Sequence, residues 1–317
     1  MGMVYVTADF LLVSDDNYVK NLGICTYSIM HNMCGEADRV RLFVMDCGIS
    51  DNNIKRLQRQ TERFDNAEIY FCDITVYVDY IANNIDSPWH RSIYGRLFPA
   101  KVLKICPDVN RLVYMDCDTL MDLPVTDLYT MDMHGKCLAA VADADEDHRK
   151  QTLEMPEEGV YINSGVLVID LAGWTERNAA ERIIEYLCTC KNTLLYPDQD
   201  AISSVMWDDM EIIPLEYNMM WMICDSDIPK LVNNIPQFPY TADEVTHALH
   251  NMKICHYSGH DMWTFYGITP IQARIFKKYR RLCDWRNEKR SFESPVKFVL
   301  WVMKSVKRFF IGDLFSG

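Results

Sequence analysis

The chain has 317 residues, of which 49% are hydrophobic and 24% are charged, a composition that is typical of a globular protein and excludes disordered and fibrous classes. The net charge is −13, but residues 271–317 carry 12 Lys and Arg against 4 Asp and Glu, a net of +8, which leaves −21 for residues 1–270. An acidic body argues against nucleic-acid binding, and a basic C-terminal segment indicates a separate partner. We therefore expect a domain at 1–270 and a helical tail at 271–317.

Targeting and membrane signals are not evident in the sequence. The first residues lack the basic start, apolar run and small-residue cleavage site of a signal peptide, so we expect none. No segment reaches the roughly 18 uninterrupted apolar residues of a membrane-spanning helix. The 12 cysteines form no C-x-x-C pair, which predicts reduced thiols in a cytoplasmic protein and makes a zinc site an unfavourable interpretation.

Short apolar runs alternate with segments of helical period through the first half of the chain. Strands are predicted at residues 10–14, 40–46, 67–73 and 111–115, and helices at residues 19–33, 54–64 and 91–105. This alternation indicates parallel strands joined by helical crossovers, hence an open α/β sheet. In such sheets, ligands bind beyond the carboxyl ends of the strands.

The second half of the chain is less regular. Residues 159–171 are strand-like but interrupted by Asn-Ser-Gly, and helices are predicted at residues 175–190 and 198–207. Residues 225–250 are rich in Pro and Asn, so we expect loops there.

Two aspartates separated by one cysteine follow the apolar run RLVYM. Because side chains alternate along an extended chain, Asp116 and Asp118 share one face while Cys117 points away. The two carboxylates repel each other, and hard oxygens at this spacing suit Mg²⁺ or Mn²⁺, ions that also bridge phosphates. A turn or a helix cap is the alternative for a D-x-D sequence, and both interpretations remain open at this point.

The stretch VSDDNY ends the first predicted strand. Its Asp15 and Asn17 either cap the next helix or, with Tyr18 stacking on a base, form a nucleoside pocket. Asp198 and Asp200 in YPDQD are equally consistent with a helix N-terminus, where carboxylates are favoured.

Two further polar residues interrupt apolar stretches. His256 in CHYSGH is a suitable third ligand for Mn²⁺, although a single histidine is more often structural. Asn163 in YINSG places an amide inside an apolar strand, which indicates a bulge or a ligand contact.

In their order along the chain, these stretches resemble glycosyltransferase family 8, the retaining sugar transferases with a GT-A fold, over residues 10–263. The shared motifs are V-S-D-D-N-Y, Y-G-R-L, L-V-Y-M-D-C-D, N-S-G-V-L-V-I-D-L, P-D-Q-D and H-Y-S-G. The resemblance is strongest to bacterial lipopolysaccharide galactosyl- and glucosyltransferases, and glycogenin is in the same family. It implies a single Rossmann-like mixed sheet flanked by helices. The implied activity is transfer of galactose or glucose from a UDP-sugar to a glycan or glycolipid acceptor.

The resemblance also implies a role for each matching residue. Mn²⁺, with Mg²⁺ as an alternative, is held by Asp116, Asp118 and His256. The UDP-sugar donor is bound by Val13, Asp15, Asn17, Tyr18, Arg96, Asp116, Cys117, Asp118, Asn163, Asp198 and Gly259. The implied catalytic residues are Arg96, Asn163, Asp198 and Gln199, and Asp143 is implied to lie near the acceptor. The family mechanism is retention by front-face attack with UDP as the base.

One segment departs from the family pattern H-x-x-G-x-x-K-P-W. The chain has HYSGHDMW instead, without the phosphate-contacting lysine, and His260 or a cation of the tail could replace it. A nucleotide-sugar-binding protein with weak turnover is therefore one alternative. The D-x-D-x-T sequence also fits a haloacid-dehalogenase-like phosphatase with Asp116 as nucleophile, although that motif usually opens its domain.

Residues 294–312 combine apolar side chains with four cations, Lys297, Lys304, Lys307 and Arg308. This pattern is typical of an amphipathic helix in a membrane interface, and four cations near anionic lipid contribute up to about 4 kcal/mol. We expect peripheral association with the inner membrane face, in lipopolysaccharide or other envelope polysaccharide synthesis. The alternative is a helix packed on the acidic body.

Overall fold

The computed structural model describes residues 6–85, 87–144, 146–190, 193–224, 226, 228–234, 238–258, 261–264 and 268–290. Its framework is a seven-stranded mixed sheet flanked by helices. The α/β architecture predicted from the alternating pattern is confirmed.

The main sheet consists of β1 Thr7–Ser14, β2 Arg39–Asp46, β3 Ala67–Asp73, β4 Arg111–Met115, β6 Leu138–Ala142, β7 Ile162–Asp170 and β8 Met210–Ile212. Their order in space is β3-β2-β1-β4-β7-β6-β8. The first four are parallel, β7 is antiparallel to both β4 and β6, and β8 is parallel to β6. Helices cover both faces, so β1, β2 and β4 are almost wholly buried, in agreement with their continuous apolar runs.

A small second sheet consists of β5 Thr119–Met121, β9 Met219–Met220 and β10 Ile254–His256, in the order β5-β10-β9. Strand β10 is antiparallel to β5, with His256 opposite Thr119, and parallel to β9. Because β5 follows β4 after three residues, this pairing brings His256 beside the turn that contains the two aspartates.

The α-helices of the described residues are α1 Val19–Met33, α2 Asp51–Thr61, α3 Thr75–Ala82, α4 Glu146–Thr152, α5 Leu171–Glu176, α6 Ala179–Thr189, α7 Pro197–Met206, α8 Trp221–Cys224, α9 Ile228–Asn234, α10 Ala242–His250 and α11 Pro270–Leu282. In the part of the chain that the structure describes, none of them has the length and apolar composition that a bilayer crossing requires. The 12 cysteines all lie among the described residues, and none of them forms a disulfide.

Two predicted helices are interrupted in the structure. The helix predicted at residues 91–105 is a pair of 3-10 helices, because Pro99 has no N–H with which to continue the preceding turn. The helix predicted at residues 175–190 is divided at Asn178, whose φ of 50° lies in the left-handed region and separates α5 from α6.

The prediction of loops at residues 225–250 is wrong where α9 and α10 occur. Helix α10 begins with a capping box, in which Thr241 and Glu244 bond each other's backbone N–H groups. This local signal outweighs the Pro and Asn content. Strand β7 is continuous through Asn-Ser-Gly, but its register with β6 shifts between Ala140 and Val141.

Residues 271–290 of the basic C-terminal segment are packed against the body of the protein. Phe276 and Tyr279 of α11 are buried, and Trp285 is 1% exposed. The Trp285 ring lies against α1 at Gly23, where an added Cβ would come within 2.2 Å of it. Residues 291–317, including the predicted membrane-interface helix, lie outside the described residues.

A buried ion pair joins β1 to β2 towards their amino ends. Arg41 lies opposite Asp9 in the register and donates to both of its oxygens, at 2.6 and 2.8 Å. The two side chains are 2% and 6% exposed. Burial raises the pKa of Asp9, which shows the desolvation that Arg41 offsets.

We expect Arg41→Met to lower the free energy of unfolding by roughly 3–5 kcal/mol, because it leaves the Asp9 carboxylate buried without its cation. The measurement is equilibrium denaturation in urea. The double variant Asp9→Leu, Arg41→Met is the control and should recover most of the loss, since it removes both buried charges and leaves Asp108, the second partner of Arg41, at an exposed position. A double variant as unstable as the single one would contradict this explanation.

Candidate active site

Three side chains that bind metals converge at the carboxyl end of β4. Asp116 and Asp118 lie between β4 and β5, and His256 ends β10. One ligand atom of each lies within 4.8 Å of the others, and His256 Nε2 is 3.5 Å from Asp118 Oδ1. Two carboxylate oxygens and an imidazole nitrogen suit a divalent cation such as Mn²⁺ or Mg²⁺. The structure thus brings together the three predicted ligands.

Asp116 is held by groups of the neighbouring elements. Its Oδ1 accepts hydrogen bonds from Arg96 Nη2 at 2.8 Å and from the hydroxyl of Tyr114, and its backbone N–H donates to the carbonyl of Gly165 in β7 at 2.8 Å. Burial raises the pKa of Asp116 to about 6, with Arg96 opposing the shift and Asp118 reinforcing it. A cation between the two carboxylates would remove this repulsion.

Asp118 and His256 stabilise each other's charged forms. Burial acts to raise the pKa of Asp118, but the charge of His256 and its hydrogen bond hold it below its usual value. Burial likewise acts to lower the pKa of His256, and Asp118 raises it. A divalent cation bound here would take the place of the proton on His256 Nε2.

The second ring nitrogen of His256 contacts Asn218, a residue that the sequence analysis did not single out. Nδ1 lies 2.9 Å from Asn218 Oδ1, and Asn218 Nδ2 donates to Asn163 Oδ1 at 2.8 Å. Asn218 is fully buried. Its signal in the sequence is a polar residue among the apolar residues of YNMMW, the same kind of signal that identified Asn163.

Arg96 connects the metal ligands with other predicted site residues. Its side chain is 6% exposed and contacts Asp116 through Nη2 and Asp198 Oδ2 through Nε, at 3.0 Å. Its Nη1 donates to the carbonyl and the hydroxyl of Ser164, both at 2.8 Å. Burial acts to lower the pKa of Arg96, but Asp116 and Asp198 hold it above its usual value. These contacts use most of its five N–H groups, so the guanidinium holds both carboxylates in place.

Asp143, Asn163 and Gln199 form a second cluster, which we call the sugar-side cluster. Asp143 Oδ2 accepts hydrogen bonds from Asn163 Nδ2 at 2.9 Å and from Gln199 Nε2 at 3.2 Å. Gln199 Oε1 accepts from the backbone N–H of Ser164 at 3.1 Å. The three residues are less than 10% exposed. Asp143 directly follows β6, Asn163 lies in β7 and Gln199 lies in α7, and only the fold brings them together.

Asp200 lies fully buried behind this cluster. It accepts hydrogen bonds from the Tyr161 hydroxyl at 2.7 Å, from the guanidinium of Arg149 and from the backbone N–H of Leu195. The backbone contact matches the helix N-terminus interpretation of this residue. Arg149 is 3% exposed, so the two charges form a buried pair.

The VSDDNY stretch lies at the carboxyl end of β1, next to β4. Asp15 accepts hydrogen bonds from Asn17 Nδ2 at 3.1 Å and from the backbone N–H of Tyr18 at 3.0 Å. The side chain of Tyr18 is 40% exposed. Cys117 Sγ lies 3.1 Å from the carbonyl oxygen of Val13, so the stretch is joined directly to the turn that contains the metal ligands.

The segment that lacks the family lysine is described in part. Gly259 and His260 lie outside the described residues. In the adjoining part, Lys20 Nζ of α1 lies 3.9 Å from Asp261 Oδ2 and 5.5 Å from the centre of the Trp263 ring. Helix α1 therefore supplies a cation to this segment, which the sequence analysis did not anticipate.

The comparisons with known proteins agree with this fold. The sequence model described as glycosyl transferase family 8 matches residues 10–262, so the chain belongs to this family of glycosyltransferases. It is 30% identical over 198 residues to general stress protein A of Bacillus subtilis (strain 168), covering 62% of this chain and 68% of that protein. It is also 30% identical over 138 residues to lipopolysaccharide 1,2-glucosyltransferase of Escherichia coli (strain K12), covering 43% of this chain and 40% of that protein.

Solved structures show that the fold is GT-A. The galactosyltransferase LgtC in complex with donor and acceptor sugar analogues superposes with a TM-score of 0.69 at 20% identity, covering 87% of this chain and 96% of that chain. The bifunctional glycosyltransferase WbbM superposes with a TM-score of 0.67, covering 88% of this chain and 53% of that chain. The mixed sheet flanked by helices that the resemblance implied is therefore confirmed.

We expect Gly165→Ala to weaken binding of a divalent cation by at least about tenfold, as changes around metal ligands commonly do. A Cβ at this position would lie 2.2 Å from His256 Cε1 and 2.7 Å from Nδ1, so the ring must move. The measurement is the rise in melting temperature during a Mn²⁺ titration. Gly35→Ala is the control, because a Cβ there meets no atom within 4 Å. Equal affinity in both variants would contradict the placement of His256.

Proposed function

We propose that the chain transfers a hexose, galactose or glucose, from a UDP-sugar to a glycan or glycolipid acceptor, with Mn²⁺ or Mg²⁺ as cofactor and with retention at the anomeric carbon. The observation that carries the proposal is the convergence of Asp116, Asp118 and His256 beside Arg96 at the ends of the parallel strands. Membership of family 8 supports sugar transfer. A lipopolysaccharide 1,2-glucosyltransferase and a galactosyltransferase among the similar proteins support the hexose and a place in lipopolysaccharide synthesis.

The three ligands suit the diphosphate part of such a donor. Two carboxylates and one imidazole leave coordination positions for phosphate oxygens. When bound, the cation supplies the positive charge that stabilises the leaving diphosphate. Arg96 holds Asp116 through a 2.8 Å hydrogen bond, so this ligand is in place before the donor arrives.

The nucleoside and the sugar are assigned to either side of these ligands. We assign uridine to Asp15, Asn17 and the exposed ring of Tyr18, with the backbone at Val13 and Cys117. We assign the donor sugar to the sugar-side cluster together with Arg96 and Asp198, and the acceptor to the neighbourhood of Asp143. Carboxylates and amide oxygens here supply partial negative charge to an oxocarbenium-like sugar.

The contacts of the described carboxylates favour front-face retention over a covalent intermediate. Asp198 is paired with Arg96, and Asp200 is paired with Arg149 and accepts a hydrogen bond from the Tyr161 hydroxyl. A carboxylate whose lone pairs are already engaged by cations and N–H or O–H donors is a poor nucleophile. The departing UDP oxygen is then the base that accepts the proton of the acceptor hydroxyl.

Family membership does not support the phosphatase alternative. A phosphorylated nucleophile needs an accessible carboxylate oxygen, and Asp116 Oδ1 already accepts from Arg96 and Tyr114. The alternative of a sugar-nucleotide-binding protein with weak turnover differs from the proposal only in rate. Hydrolysis of UDP-galactose and UDP-glucose, measured separately, distinguishes the two and identifies the donor.

We expect UDP to stabilise the protein far more in Mn²⁺ than in EDTA, because a cation held by Asp116, Asp118 and His256 would supply positive charge to the diphosphate. Ligand at 100 times Kd adds about 2.7 kcal/mol to the free energy of unfolding. The measurement is thermal denaturation with UDP in each buffer. UDP stabilisation of equal size in Mn²⁺ and EDTA would count against the metal role.

The variants Asp116→Asn and Asp118→Asn are included in the same experiment and should abolish both the Mn²⁺-dependent stabilisation and donor turnover. Asp122→Asn is the matched control. Asp122 directly follows β5 and accepts hydrogen bonds from Lys278 and from the buried Tyr279 hydroxyl, away from the proposed ligands, so its loss should leave UDP binding intact. Normal donor turnover by Asp116→Asn or by Asp118→Asn would refute the proposal that these two residues bind the cation.

We also propose that residues 291–317 attach the enzyme to anionic membrane. The cations and apolar residues at 294–312 support this proposal. The described chain leads into this segment from a fixed point, since Trp285 is buried against α1. A lipid-linked acceptor would explain such a tail.

We expect deletion of residues 291–317 to release the protein from vesicles that contain anionic lipid, while donor hydrolysis is retained. The reason is that the deletion removes four cations and the apolar side chains between them but leaves the Trp285 anchor. The measurement is co-sedimentation, with neutral vesicles as the control. Sedimentation of the truncated protein with anionic vesicles would show that the tail is not the attachment.

A further inference from the structure

Asn218 lies between the metal ligands and the sugar-side cluster. It directly precedes β9, and the next residue but one, Met220, lies opposite His256 in the register. Its side chain is fully buried, and both polar ends are used, Oδ1 toward His256 and Nδ2 toward Asn163. A buried amide lowers stability unless it is paired at both ends, so its two contacts explain its presence in an apolar stretch.

The contacts of Asn163 determine which groups donate and which accept in these hydrogen bonds. The backbone N–H of Gly165 can only donate, and it lies 3.0 Å from Asn163 Oδ1. The carboxylate of Asp143 accepts, and it lies 2.9 Å from Asn163 Nδ2. The amide of Asn163 therefore has one orientation, and its oxygen must receive the N–H of Asn218.

The orientation of Asn218 in turn determines which ring nitrogen of His256 carries the proton. With its Nδ2 turned to Asn163, the amide of Asn218 presents Oδ1 to His256 at 2.9 Å. Only an N–H at Nδ1 satisfies that oxygen. Nε2, 3.5 Å from Asp118 Oδ1, is then the nitrogen whose lone pair is available to a cation.

We propose that Asn218 is a positioning residue that holds the His256 imidazole with its proton on Nδ1 and its Nε2 lone pair directed at the divalent cation. The inference rests on the proposed function, because it assigns a role relative to that cation. It also links the two halves of the site. The orientation of Asn163 toward Asp143 and the tautomer of His256 are parts of one hydrogen-bond chain.

The two ends of Asn218 can be tested separately. Asn218→Leu removes the acceptor for His256 and the donor for Asn163 at similar volume. Asn218→Asp keeps an acceptor for Nδ1–H and removes the donor. The new carboxylate would repel Asn163 Oδ1 and draw the Asn163 amide away from Asp143, so this variant should disturb the sugar side while the metal side persists.

Mn²⁺ affinity in the presence of saturating UDP is measured from the electron paramagnetic resonance signal of free Mn²⁺. We expect affinity to fall 10- to 100-fold in Asn218→Leu and to stay within about threefold of the unchanged protein in Asn218→Asp. In Asn218→Asp, kcat for donor hydrolysis should fall while the KM for the donor holds. Circular dichroism verifies that each variant is folded.

Asn32→Leu is the matched control. Asn32 of α1 also donates from a largely enclosed position, to the carbonyls of Ser28 and Met121 and to the Tyr279 hydroxyl, away from the ligands. Its loss should lower stability and leave Mn²⁺ affinity unchanged. If Asn218→Leu binds Mn²⁺ as tightly as the unchanged protein, the inference about Asn218 is overturned while the proposed function stands. The same holds if Asn218→Asp binds Mn²⁺ as weakly as Asn218→Leu. If the unchanged protein binds no Mn²⁺ with UDP, the proposed function fails as well.

A second measurement needs no variant at residue 218. Nitrogen-15 resonances of labelled histidine in the metal-free protein, recorded above the pKa found by titrating the same resonances, report which ring nitrogen carries the proton. The resonances of His256 are identified as those that disappear in His256→Gln. A proton on Nδ1 supports the inference, and a proton on Nε2 overturns it.

Discussion

The site depends on the repulsion between two carboxylates that are forced together at the end of a buried strand. Asp116 and Asp118 lie on one turn, and burial with mutual repulsion raises the pKa of Asp116. Each carboxylate has a basic partner: Arg96 contacts Asp116, and His256 contacts Asp118. One ligand atom from each of Asp116, Asp118 and His256 lies within 4.8 Å of the others, so the three can hold a cation between them.

Two sheets and one glycine bring the three ligands together. The main sheet places Gly165 against the backbone of Asp116, and the small sheet carries His256 to the same point. The approach is so close that a side chain at residue 165 would overlap the imidazole. From there, Asn218 and Asn163 continue the contact to Asp143. Ligand geometry and sugar-side polarity therefore belong to one buried hydrogen-bond network, in which a single change propagates.

The segment after His256, where the sequence differs from the predicted family pattern, is described at residues 257–258 and 261–264. Lys20 places a cation near Asp261 and Trp263 from a different element. The C-terminal segment is likewise attached to the body through residues 271–290, because α11 and Trp285 complete the core around α1.

The sequence by itself determined the α/β class, the central strands and the chemistry of the ligands, because apolar runs and side-chain alternation are local properties. It predicted Asp116 and Asp118 on one face of an extended chain, whereas in the structure they lie on a turn after β4. Only the tertiary structure decided that His256 joins them and that Asn218 orients it, since pairing between β5 and β10 depends on contacts far apart in the chain. The helix at 242–250 was missed because the Pro and Asn content was weighed above the local capping box of Thr241 and Glu244. The packing of 271–290 depends on burial of Trp285 against α1, a tertiary contact.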